Sequence, residues 1–137
     1  MENCVCFNLR RFSRAFSQFF IGELRQHGLL PTQTPILGFL AAKGEANMAE
    51  VSDWLMMDRT TLVRNLRPLE RDGLVKSTRK GRGYKVSLAL TAKGQQVLGK
   101  FLPDWQTAQR KIIRTLGKER WTEILQDLKR ASLAIDN

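Results

Sequence analysis

The sequence predicts a mainly α-helical chain with a small β component, an α+β fold in which long terminal helices flank short helices and a hairpin. Three observations carry that expectation. Apolar residues recur at helical spacing through both ends, from Cys4 to His27 and from Thr91 to Ile135. Glycines and N-capping residues cut the middle into helix-sized segments. Only Leu74–Thr78 and Lys85–Leu90 read as strands, joined by the loop Arg79-Lys80-Gly81-Arg82-Gly83-Tyr84.

Each element has its own signal. In the first helix Val5, Leu9, Phe12, Phe16 and Phe19 are spaced by 4, 3, 4 and 3 residues. Phe20 and Leu24 continue the stripe, and Gly28 closes it. A second helix starts between Pro31 and Pro35, since both prolines suit a first turn, and runs to about Lys43 with Ile36, Leu37, Phe39 and Leu40. Gly44 ends it. Asn47 with Glu50 three residues on is a capping box. The short helix that follows runs to about Met56, with Val51, Trp54 and Leu55 expected inward.

Asp58 caps the next helix, about 59–72, which carries Leu62, Leu66 and Leu69 on one side. At 100° per residue, Thr60, Arg64, Arg67 and Arg71 lie within about 40° of the opposite side, with Thr61 and Pro68 at the edge. Pro68 conflicts with a regular helix, because it removes a backbone donor. Gly73 supplies the stop, and the hairpin spans about 74–90. Thr91 caps a long helix to about Leu116 with Val97, Leu98, Phe101, Leu102, Trp105, Ile112 and Ile113, in which Pro103 is expected to introduce a bend. Gly117 separates a last helix with Trp121, Ile124, Leu125, Leu128 and Ile135 on its apolar face.

At 137 residues the chain has the length of one domain, 1–137, and can bury roughly two-thirds of its unfolded surface. A balance of 42% hydrophobic and 26% charged residues argues against disorder. No apolar run approaches the roughly 18 residues that span a bilayer. The N-terminal stretch interleaves arginines with apolar residues, unlike a signal peptide. We therefore expect a cytoplasmic protein that does not enter a membrane. Two cysteines separated only by Val5, and one histidine, His27, exclude a Cys4 zinc site, and we expect no metal and no cofactor. Nothing around His27 marks it as catalytic, so it reads as a surface residue. Glu50, Asp53 and Asp58 are explained by capping and solvation. Gly81-x-Gly83 precedes a strand rather than a helix, so it is no phosphate-cradling turn and no enzyme is expected.

Charge is more telling. The chain carries 23 Lys+Arg and 13 Asp+Glu, a formal net charge of +10. Between Arg59 and Lys85 nine cations (Arg59, Arg64, Arg67, Arg71, Lys76, Arg79, Lys80, Arg82 and Lys85) face only Glu70 and Asp72, which places +7 in about a fifth of the chain. A solvated face usually mixes both signs, whereas the outward stripe here holds no acid. Helix, tight turn, helix and cationic hairpin is the order that puts one helix in the DNA major groove and a loop against backbone or minor groove. Arginine forks bind guanine edges or phosphates, and threonine hydroxyls suit phosphates. Double-stranded DNA is the expected partner, with RNA the alternative polyanion.

The residues also resemble a known family. Met48-Ala49-Glu50-Val51-Ser52-Asp53-Trp54-Leu55, followed by Met57-Asp58-Arg59-Thr60-Thr61-Leu62-Val63-Arg64-Asn65-Leu66-Arg67-Pro68-Leu69-Glu70-Arg71-Asp72-Gly73-Leu74-Val75, is similar to the core of the MarR family of bacterial winged helix-turn-helix regulators. Leu90-Thr91-Ala92-Lys93-Gly94 is similar to its Leu-Thr-x-x-Gly, and Gln33 and Leu37 match its second helix. The resemblance implies a winged helix-turn-helix over 31–91, with 1–30 and 92–137 forming a helical dimerisation region. It implies a homodimer on a palindromic operator, usually a repressor, released by a small ligand or by thiol oxidation. It also puts Pro68 inside the recognition helix. Arg59, Thr60, Thr61, Arg64, Asn65, Arg67 and Arg71 on the helix, and Arg79, Lys80 and Arg82 on the wing, form the expected DNA-contacting set. Where the family's wing carries an Asp and, two residues later, an Arg, this chain has Arg82 and Tyr84.

Three further expectations concern the terminal helices. Their aromatic surplus is buried most economically against a second copy of the chain. Cys4 and Cys6 lie at the start of the first helix, where the helix dipole activates thiols, and are candidate redox residues. Phe16, Trp54 and Trp105 are candidate linings of a pocket for a small-molecule effector between the terminal helices and the winged-helix part, with plain core packing as the alternative.

Overall fold

The computed structural model describes residues 2–80 and 85–135. In chain order the elements are α1 (Val5–Glu23), a 3-10 turn at Arg25–His27, α2 (Thr34–Lys43), β1 (Glu45–Asn47), α3 (Met48–Leu55), α4 (Arg59–Arg71), β2 (Val75–Lys80), β3 (Lys85–Leu90), α5 (Ala92–Leu116) and α6 (Lys118–Ile135). This is a winged helix-turn-helix with long helices at both ends. Among the described residues, no helix is long and apolar enough to cross a membrane.

The capping residues place three helix starts. Asn47 Oδ1 accepts from Glu50 N at 3.0 Å, while Glu50 Oε2 accepts from Asn47 N at 2.8 Å, a reciprocal capping box. Asp58 Oδ1 accepts from Thr61 N at 2.9 Å, and Thr91 Oγ1 accepts from Gly94 N at 2.9 Å. The start of α2 falls at Thr34, which puts Pro35 in its first turn. The turn between α3 and α4 passes through Met56, a non-glycine residue in the left-handed region at φ 51°. Pro68 does not end α4, which continues to Arg71, and α5 likewise runs on through Pro103.

The sheet differs from the expected two-stranded hairpin. It has three antiparallel strands in the order β1-β3-β2. Ala46 pairs with Leu88 and Val75 with Leu90, and all four are buried. They roof a core that also contains Ile36, Leu37 and Leu40 of α2, Val51 of α3, Leu62, Leu66 and Leu69 of α4, and Leu98 and Phe101 of α5. Truncating one such leucine to alanine costs about 2–5 kcal/mol. The leucines therefore fix how α4 lies and turn its other face outward.

The core belongs to the middle of the chain. Neither α1 nor α6 has a buried residue. Phe16 of α1 stacks on Trp121 of α6 at 6.0 Å between ring centroids, and apolar grooves beside them are lined by Leu9, Phe12, Phe16, Phe20, Ile124 and Leu128.

Candidate nucleic-acid interface

The outward face of α4 is built by default once its leucines are inside. Thr60, Arg64, Arg67 and Arg71 are exposed, as the helical period requires, and Arg59 is exposed because it is the first residue of the helix, beyond the end of the leucine row. Arg59, Arg64 and Arg67 make no ion pair among the described residues, so their guanidiniums are available to an anion. With Thr60 and Val63 these three line one open depression. Val63 escaped the sequence reading. It lies in a row with Arg59 and Arg67, each four residues apart, and that spacing is the signal that finds it.

Three of the expected contact residues have prior engagements. Arg71 donates from Nε to Asp72 Oδ1 at 2.9 Å and from Nη2 to Asp72 Oδ2 at 3.3 Å. This pair holds the Asp72 carboxyl below the usual carboxylate range and raises the Arg71 guanidinium. Asp72 was placed off the stripe by helical geometry, but it follows the last helical residue and bends back to reach Arg71. Thr61 donates its hydroxyl to Asp58 Oδ2 at 2.6 Å, and Asn65 donates from Nδ2 to the Thr61 carbonyl at 2.9 Å. Both side chains thus serve the helix itself. The two hydrogen bonds from Thr61, hydroxyl first and then backbone N–H, hold the Asp58 carboxyl below its ordinary range.

The wing begins directly after this helix. Gly73 turns the chain at φ 71°, and Leu74 N donates to the Leu69 carbonyl at 2.8 Å. Arg79 and Lys80 were expected in the loop. They sit instead in β2, opposite Val86 and Lys85, because the strand pairing extends two residues further than composition indicates. Lys76 and Arg79 are exposed along the strand. Arg82 lies outside the described residues.

The first turn of α5 is seated on the end of α4. Lys93 Nζ donates to the Asp72 carbonyl at 2.8 Å, and Thr91 Oγ1 donates to the Gly73 carbonyl at 2.6 Å. Gly94 approaches so closely that a Cβ there would lie 2.0 Å from the Leu74 carbonyl oxygen. The Leu-Thr-x-x-Gly run is therefore a joint between α4, wing and α5.

The remaining expected site residues scatter. Cys4 is the half-buried N-cap of α1, Cys6 is exposed in its first turn, and both thiols are free. Phe16, Trp54 and Trp105 do not meet. Phe16 is in the α1–α6 groove. Trp105 lines a hollow of about 180 Å³ with Phe20, Leu24, Pro31, Phe101 and Gln109, where α1, α2 and α5 converge. Trp54 is 59% exposed rather than inward, packed on Phe39 at 4.9 Å, because Val51 and Leu55 already fill the core-facing side of an eight-residue helix. His27 is also misread as a plain surface residue. Its Nε2 lies 2.8 Å from Asp104 Oδ2, its ring meets Phe101 edge-on, and its side chain is 12% exposed. Hydrogen bonds from His27 and then Gln26 hold the Asp104 carboxyl below its usual range.

Comparison with known proteins agrees with this geometry. A sequence profile described as MarR family matches residues 27–83. No curated protein matches the chain in sequence. A crystal structure of the M. tuberculosis transcriptional regulator MosR in complex with DNA is similar at 30% identity and a TM-score of 0.89, over 98% of this chain and 97% of that one. The transcriptional repressor CouR, bound to a 23-mer DNA duplex, is similar at 24% identity and a TM-score of 0.86, over 96% and 94%. Bordetella bronchiseptica BpsR, whose DNA binding is regulated by 6-hydroxynicotinic acid, shares the fold at 19% identity and a TM-score of 0.85, over 96% of both chains. With its fold, its recognition-helix sequence and a 30% identical relative matched end to end, the chain belongs to the MarR family of transcriptional regulators.

Proposed function

We propose that the chain is a cytoplasmic, homodimeric repressor that binds a palindromic site in double-stranded DNA. The observation that carries this reading is the exposed face of α4, where Arg64 and Arg67 stand without acidic partners on the side away from three buried leucines, and Arg59, equally unpaired, joins them from the first helical position. In this reading Arg59, Thr60, Arg64 and Arg67 reach bases and phosphates in the major groove. Arg71, Thr61 and Asn65 contribute through positioning at its edge, and Arg79, Lys80 and Arg82 of the wing meet backbone or minor groove. Residues 1–30 and 92–137 form the dimerisation region, and 31–91 the reading part. The exposed Val5, Phe7, Leu9, Ile21, Leu125, Leu133 and Ile135 on α1 and α6 support burial against a second copy. Release by a small effector fits the hollow beside Trp105, and release by oxidation fits the free thiols of Cys4 and Cys6.

Selection of bound sequences from random duplex DNA tests the reading. It should return a palindrome bound far more tightly than an RNA duplex. If each subunit neutralises about three or four phosphates, log K should fall against log salt with a slope of about −5 to −7. A slope near zero would reduce the basic segment to solvated surface and remove the reading.

A further inference from the structure

Val63 is an apolar residue in the middle of a cationic face, and the core does not claim it. It lies about 100° round α4 from the fully buried Leu62. Among the described residues, partly buried apolar side chains such as Phe39, Leu55, Met57 and Val86 pack against the core cluster, and Val63 is not one of them. It is half-buried in the depression that it lines with Arg59, Thr60, Arg64 and Arg67. A valine in a helix is held in one strongly preferred rotamer, so the methyl pair it offers is already ordered.

The chemistry of the major groove says what such a methyl pair suits. Guanine, adenine and cytosine present polar edges there, and thymine alone adds a C5-methyl. An apolar group set against an amino or carbonyl edge strips it of water and returns nothing, whereas against the thymine methyl it buries apolar surface. Resting on the proposed placement of α4 in the major groove, we infer that Val63 is a specificity-determining residue that reads one thymine methyl in each half-site. Arg59 and Arg67 stand four residues to either side, about 6 Å along the helix axis, which is roughly two base-pair steps. The thymine therefore lies within about two base pairs of the bases that these arginines and Arg64 reach.

The test uses the full-length protein and the site obtained by selection. Each thymine is replaced in turn by deoxyuridine, which deletes the methyl and keeps the hydrogen-bonding edge. At one position per half-site the native protein should lose about fourfold in affinity, the effect of one buried methyl. Val63→Ala withdraws the methyl pair and should cut the difference between the thymine and uracil forms of that position to less than twofold, with an unchanged Tm. The inference is overturned if no uracil substitution weakens the native protein, or if Val63→Ala shows the same fourfold loss. It is equally overturned if Val63→Ala unfolds, since Val63 would then be a packing residue. Failure of the underlying reading looks different, because no preferred duplex would emerge from the selection at all.

Discussion

Arg64 and Arg71 lie on the same outward side of α4, but only Arg71 is forked by a neighbouring carboxylate. Arg64→Ala should cost about 1–3 kcal/mol on the preferred site and relax its sequence preference. Arg71→Ala should cost less and leave the preference intact, since its guanidinium is already engaged by Asp72. Titration of both variants on the selected site and on a scrambled duplex checks this, and a larger loss for Arg71→Ala would reverse the roles. Asp58 brings a pH dependence. Its carboxyl is depressed in the folded protein by Thr61, so the stability it contributes is fully present above the unfolded value, about pH 4, and is lost as pH falls through the folded one. Thermal unfolding between pH 6 and pH 2.5 should show Tm falling at the acid end, and Asp58→Asn should flatten that fall. The arginine stripe was legible in the sequence because a helix turns 100° per residue whatever surrounds it. The reach of Asp72 to Arg71, the engagement of Thr61 and Asn65, and the pairing of His27 with Asp104 were not, because rotamers answer to neighbours in space. Val63 has no charge to mark it in the sequence, and only its place in the depression between Arg59 and Arg67 sets it apart.

At the scale of elements, the starts were the most legible feature. Asn47, Asp58 and Thr91 each satisfy an orphan N–H within three residues, so their signal is local. Strand β1 was invisible for the opposite reason. Its three residues, Glu45, Ala46 and Asn47, have no β-branched side chain, and they become a strand only by pairing with Ser87–Ala89, some forty residues on. The extension of β2 to Lys80 is likewise set by its partner strand. The joint at Gly94 yields a sharp expectation. Gly94→Ala would push a methyl into the Leu74 carbonyl, and neither backbone can yield without parting the wing from α5. It should destabilise by about 1–3 kcal/mol or more, seen in chemical unfolding, whereas Gly99→Ala in the same helix meets open space and should stabilise slightly.

For the molecule as a whole, the core serves the middle of the chain, and neither α1 nor α6 has a fully buried residue. A chain of 15.7 kDa should therefore scatter light as a particle of about 31 kDa at micromolar concentration. A clean monomer would leave the apolar surfaces of α1 and α6 without a purpose and would remove the basis for a two-fold site. In the proposed pair, the seating of α5 on the end of α4 has a further consequence. Thr91 alone stands between β3 and α5, so on this side no linker separates the part that would read DNA from the part that would join two copies. The separation of the two reading helices then belongs to the protein's own dimensions, like the gap of a fixed caliper. Adding one base pair at the centre of the site moves the far half-site by about 3.4 Å and turns it by about 35°. A tethered pair of heads would absorb that change, whereas a caliper cannot, so the length of the spacer becomes part of what is recognised.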